Sequence, residues 1–129
     1  MTGIKKEKDV ILQLLIETVN EYDDYDVPIT LNVNGAIVSG TLLSAEAYFK
    51  EALEMFDDDT EADNHIYEKL EKATEQLTSG EEPEINYIHL KDAKMFDASG
   101  SAVPSKGSVM WRGKLKEVDG FFVGKLKES

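Results

Sequence analysis

The sequence predicts an α+β fold. It implies an N-terminal helix, about five strands in a mostly antiparallel sheet, and two helices inserted between the first strand pair and the C-terminal strands. Three observations carry this. The hydrophobic period switches from helical to alternating and back along the 129 residues. An Asn-Gly pair sits between two alternating runs. Helical and strand-like segments are grouped rather than strictly alternating, which favours an antiparallel sheet over βαβ units.

Residues 4–22 read as an amphipathic helix, with Val10, Ile11, Leu14, Leu15, Val19 and Tyr22 as its apolar positions. The run "DDYDVP" ends it, because Pro28 pushes Val27 toward extended geometry. Residues 28–43 then read as a hairpin. A type I′ turn needs two residues with positive φ, and Asn34-Gly35 supplies them. A two-residue turn sets Val33 opposite Ala36, Leu31 opposite Val38 and Ile29 opposite Gly40. Ile29, Leu31, Val33, Ala36, Val38 and Leu42 then share one face. Thr30, Asn32, Ser39 and Thr41 share the other, with Ile37 and Leu43 as exceptions.

Residues 44–80 form an acidic helical insertion. Ser44 is a candidate N-cap, followed by a stripe of Tyr48, Phe49, Leu53 and Phe56 that suits a helix laid on the sheet. "DDDT" breaks that helix, and Thr60 to Asp63 resembles the start of another, with Ile66, Leu70, Ala73 and Leu77 on one face and Gly80 as its stop. Residues 85–127 lose the helical period. "INYIHLKDAKMF" reads as a strand. "SVMWRGKLKEV" and "FFVGKLKES" read as a strand pair joined at Asp119-Gly120, through a bulge or longer turn because the faces do not sort cleanly.

One domain is expected at this length, with enough chain to bury a core. With no cysteine, disulfides, zinc-thiolate sites and iron–sulfur clusters are excluded. No apolar run approaches the roughly 20 residues that span a bilayer, and acidic residues interrupt the apolar N-terminal stretch, so neither a membrane span nor a signal peptide is expected. The net charge of −12 is segregated. Residues 1–43 carry −4, residues 44–84 carry −11 and residues 85–129 carry +3. Such a molecule repels nucleic acid as a whole, while its acidic middle and basic end can attract each other within or between molecules.

"ITLNVNGAIVSGTLLSAEAYF", "YIHLKDAKMFDASGSAVP" and "MWRGKLKEVDGFFVGKL" resemble the gas vesicle accessory protein GvpU family. The similarity spans most of residues 27–127. It implies a small cytoplasmic prokaryotic protein that serves gas-filled protein nanostructures without being their main shell component, and it brings no catalytic residues. A second likeness is to Sm-like small barrels. Gly35 and Gly40 match the glycine spacing of that family's strand pair, Glu46 stands where Asp is usual, and Arg112-Gly113 resembles the later Arg-Gly pair that helps hold RNA. The acidic charge and the helical insertion depart from that pattern. It leaves a closed small barrel and an open sheet with helices on one face as two forms of the same fold, and it suggests ring-like oligomers.

The candidate sites each have a structural reading. Asp57, Asp59, Glu61 and Glu68 fall at positions 1, 3, 5 and 12 of an EF-hand-like loop for calcium or magnesium, but Ala62 stands where the sharp turn needs Gly, and a solvated acidic loop is the plainer reading. His65 lies at a helix start, and His89 faces outward or caps a strand. Neither histidine has metal-ligand or nucleophile spacing, and no phosphate-binding glycine motif occurs. Trp111 and Arg112 suit the centre of an interface, with Trp111 as a core residue the plainer reading. Lys114, Lys116, Lys125 and Lys127 form a basic stripe or protect sheet edges. The expectation is therefore a non-enzymatic accessory protein without cofactor. It would contact gas vesicle shell or accessory proteins or its own copies. An Sm-like nucleic-acid module and a small-ligand or calcium-binding domain are the alternatives.

Overall fold

The computed structural model describes residues 7–22, 24–56, 60–78 and 85–126. Helix α1 (Val10–Glu21) leads into strands β1 (Val27–Val33) and β2 (Ala36–Leu43), helices α2 (Ala45–Glu54) and α3 (Glu61–Thr78), and strands β3 (Tyr87–Phe96), β4 (Ala102–Val103), β5 (Val109–Lys114) and β6 (Val118–Val123). A 3₁₀ turn, Leu115–Glu117, joins β5 to β6. The architecture is α+β, with six antiparallel strands and two helices between β2 and β3.

The first hairpin forms in the register that its turn dictates. Asn34 and Gly35 have φ of 53° and 91°, and Val33 pairs with Ala36, Leu31 with Val38 and Ile29 with Gly40. The turn is tied to the far end of the chain. Asn34 donates its backbone N–H to Asp119 Oδ2 at 2.8 Å and its side-chain amide to Glu117 Oε2 at 3.0 Å.

β6 pairs with β1 at one edge, and β5 pairs with β3 at the other. This corrects the expected strand pair about Asp119-Gly120. Both residues lie inside β6, and its partner is β1. In a flat sheet, the four spacings from β5 through β3, β2 and β1 to β6 would total about 19 Å. A three-residue 3₁₀ connection advances only about 2 Å per residue. The sheet must therefore roll until its two edges come within reach of that turn. Among the described residues the edges are joined by the covalent turn, without a ladder between β5 and β6.

Rolling is assisted by a bulge in β3. Asp92 adopts φ 52°, and the ladders to both β2 and β5 shift register around it. The extra residue reverses the alternation. Ile88, Leu90 and Ala93 all reach the core, while His89, Lys91 and Lys94 pair with Leu43, Thr41 and Ser39 on the outer face. Gly40 lies against this bulge, where a Cβ would sit 2.9 Å from the Lys91 carbonyl oxygen and 3.1 Å from Ala93 Cα.

The core lies inside the roll. Ile29, Leu31, Val38, Leu42, Ile88, Leu90 and Leu115 are fully buried. α1 adds Leu12, Ile16 and Val19, and Asp9 caps it by accepting from the N–H groups of Ile11 and Leu12. Two expectations for this helix are corrected. It begins at Val10, with residues 7–9 outside it, and its buried face is rotated from the one anticipated. Val10 is 75 % and Ile11 61 % exposed, and Leu14 and Tyr22 are also largely exposed. The helix carries apolar residues on more than one face, and the core takes the Leu12–Ile16–Val19 line.

The outer face of the hairpin is also covered. Thr30 and Ser39, on the polar face of the hairpin, are buried. Residues following β6 cross over them: Thr30 Oγ1 donates to the Gly124 carbonyl at 2.7 Å, and Leu126 N–H donates to Ser39 Oγ at 2.8 Å. The Thr30 proton is thus committed, so Ser39 donates in the 3.0 Å hydroxyl–hydroxyl bond between them.

Gly40→Ala is expected to destabilise the protein by about 1–3 kcal/mol, because the clash is with backbone. Gly120→Ala, where a Cβ meets nothing within 4 Å, should stay within about 0.5 kcal/mol of wild type. Urea unfolding midpoints of the two variants check this.

Candidate functional site

The densest grouping of chemically distinctive side chains lies where α2 crosses β3 and β5. Ser44 caps α2 by accepting from Ala47 N–H at 3.1 Å. This fixes the first turn so that Tyr48 and Phe49 face the sheet. The β3–β5 register places His89 opposite Arg112 and Tyr87 opposite Lys114. These four residues therefore share the outer face.

His89 is only 4 % exposed. Its ring lies 4.7 Å from that of Tyr48 and 5.9 Å from that of Phe49. Arg112 Nε donates to His89 Nε2 at 3.1 Å. The guanidinium carbon lies 3.7 Å from the centre of the Tyr87 ring and 5.6 Å from that of Phe49. Burial first, and the Arg112 charge second, lower the His89 pKa from 6.5 to about 4. His89 is thus neutral at pH 7, with Nε2 as an acceptor and its proton on Nδ1. A neutral imidazole roofed by two aromatic rings orients Arg112. It is poorly placed to exchange protons with a substrate.

This site differs from the one the sequence suggested. Trp111 and Arg112 point to opposite sides of β5. Trp111 packs against the core with its ring over Gly113, and only Arg112 joins the outer cluster. His89, expected to face outward or cap a strand, does lie on the outer face, but it is buried there because α2 covers that part of the sheet. Glu61 and Glu68 stand on α3, where a calcium loop would have to be irregular, and Asp57 and Asp59 lie outside the described residues. His65 is exposed on α3. The lysines make no stripe on adjacent strands: Lys114 ends β5, Lys116 lies in the 3₁₀ turn, Lys125 follows β6, and Lys127 is outside the described residues. Asn34 and Gly35 serve the turn, as expected. Tyr48, Tyr87 and His89 were not legible as a cluster. The signal lay in the His89–Arg112 register, which requires knowing that β5 pairs with β3.

The other polar grouping is structural. Asp97 Oδ1 accepts from the N–H groups of Ser99 and Ser101 and from the Ser99 hydroxyl. That hydroxyl, followed by the Ser101 N–H, lowers the Asp97 pKa. The arrangement fixes the turn between β3 and β4.

Comparison with known proteins identifies the chain. Residues 9–126 match the family model described as gas vesicle protein GvpU-like, and the chain belongs to that family. No curated protein and no solved structure matches it. It is thus a gas vesicle-associated protein by family.

The buried His89 gives a pH signature. Its folded pKa lies below the unfolded value, so its stabilising contribution is complete above pH 6.5 and is lost as the pH falls from 6.5 to about 4. The stability difference between wild type and His89→Gln should shrink by on the order of 3 kcal/mol over that window. Denaturant titrations of both proteins at pH 7 and pH 4 measure it.

Proposed function

We propose that this protein is a non-enzymatic gas vesicle accessory factor that works in the cytoplasm through contacts with shell or accessory proteins and with its own copies. The observation that carries this reading is the family match over residues 9–126. The rolled sheet is the rigid body. The helical insertion is the contact element, and it is lightly anchored. No residue of α2 is fully buried, its link to the sheet runs through Tyr48 and Phe49, and α3 packs on α2. A segment held so lightly is available for exchange with a partner surface.

The charge distribution gives such contacts an electrostatic part, because residues 44–84 carry −11 and residues 85–129 carry +3. No helix among the described residues is long and apolar enough to cross a membrane. The −12 total disfavours the nucleic-acid alternative.

Co-sedimentation with purified gas vesicles tests the reading. The protein should pellet or float with intact vesicles and remain in solution when the vesicles are omitted; absence of any association would refute a vesicle role. Light scattering tests the electrostatic part. Self-association should weaken severalfold between about 0.01 M and 0.15 M ionic strength, as the screening length falls. A salt-independent signal would refute it.

A further inference from the structure

We propose that Arg112, held by Tyr87 and His89, is a receptor for a carboxylate on an acidic segment of a partner protein. This goes beyond the accessory role, and it concerns the basic side of the molecule rather than its acidic insertion.

Arg112 is the chain's only arginine, in a sequence with 26 acidic residues. Yet among the described residues it contacts a neutral imidazole and two aromatic rings. Among the described residues no carboxylate pairs with it. By contrast, nearby Lys91 on the same face is bridged to Asp26 at 3.2 Å. Among the described residues, the one guanidinium is exposed on the outer face without a counter-ion.

The side chain is nonetheless fixed in direction. Nε–H is committed to His89 Nε2, and one face of the guanidinium is committed to the Tyr87 ring. What remains is the edge bearing the two Nη groups, with four N–H donors in a planar fork. That fork matches two oxygens of a carboxylate, which it can bind through two parallel hydrogen bonds. Much of the ordering cost of an arginine side chain is met before a partner arrives. Lys114, opposite Tyr87 on the same face and exposed, adds a second positive charge beside it.

Several features favour a protein carboxylate over a nucleic acid. One face of Tyr87 is occupied by the guanidinium, and Tyr48 and Phe49 are turned onto His89. Tyr87 is therefore the one exposed ring of the cluster, with one face already taken, and it offers bases a single ring rather than the run of rings on which successive bases stack. The net charge of −12 also opposes a long polyphosphate, while a short acidic segment pays much less of that long-range penalty at physiological ionic strength.

Because the arginine is unique, its side-chain Nε–H gives one unambiguous NMR signal in the ¹⁵N-labelled full-length chain. Poly-L-glutamate added at low salt should shift this signal saturably. Arg112→Lys keeps the charge but loses the fork, and should weaken poly-L-glutamate binding about tenfold or more by calorimetry. Lys114→Gln should weaken it less. Tyr87→Leu, which removes the stacking platform, should also weaken binding while leaving Arg112 in place. The proposal is overturned if no saturable shift occurs, or if Arg112→Lys and Tyr87→Leu both bind as wild type does. It is also overturned if inorganic phosphate or an oligouridine RNA binds more tightly than poly-L-glutamate. No vesicle enters these measurements, so their failure is distinct from failure of the accessory role.

Discussion

The structure depends on one short connection. Leu115–Glu117 must carry the chain from the β3 side of the sheet to the β1 side, and three residues are too few to cross a flat sheet of this width. The sheet is therefore rolled, and the roll creates an interior. Leu115, inside that turn, is itself fully buried, so the connection is also part of the core it makes possible. Its backbone is held by a hydrogen bond from Leu115 N–H to the Asn86 carbonyl at 2.9 Å. The Asn-Gly corner is fastened to the same region through Glu117 and Asp119. Turn, core and hairpin thus constrain one another.

Rolling also decides what the outer surface can be. On one part of it, the chain beyond β6 folds back over Thr30 and Ser39 and satisfies their hydroxyls. On another, α2 covers His89. Between these covers the face stays open at Tyr87, Arg112 and Lys114. The accessory role proposed above asks recognition of such a surface. An oriented cation beside a lightly anchored acidic insertion suits that requirement, because the two elements carry opposite signs and lie on one molecule.

How far the sequence revealed this varies by element, for physical reasons. The register of the first hairpin was legible, because turn chemistry and face alternation constrain it independently. The caps at Ser44 and Thr60 were legible because capping is local: Thr60 Oγ1 does accept from Asp63 N–H. The buried face of α1 was not, since apolar residues occur around most of the helix and only tertiary packing selects among them. Asp119-Gly120 has the composition of a hairpin corner, but the partner of β6 is set by the roll, which is a non-local property. His89 followed from the same gap. With β5 assigned to the wrong neighbour, its pairing with Arg112 could not be seen, and the burial supplied by α2 could not be placed above it. Family resemblance carried what residue chemistry could not, the association with gas vesicles.

The bulge at Asp92 has a consequence for how this sequence can vary. Strand β3 behaves as two shorter strands half a period out of phase, with residue 92 as the spacer between them. The backbone there needs a residue that tolerates a left-handed conformation, and several side chains meet that need. Loss of the residue altogether would leave Ala93 inward and Lys94 outward in a regular alternation, with their partners on β2 unchanged, and would remove the bend itself. At this point the extra residue serves curvature, not the choice of which side chains face the core. Related sequences can therefore vary in letter here, and one shorter by a residue should keep its inward and outward sets while losing the bend beside Gly40.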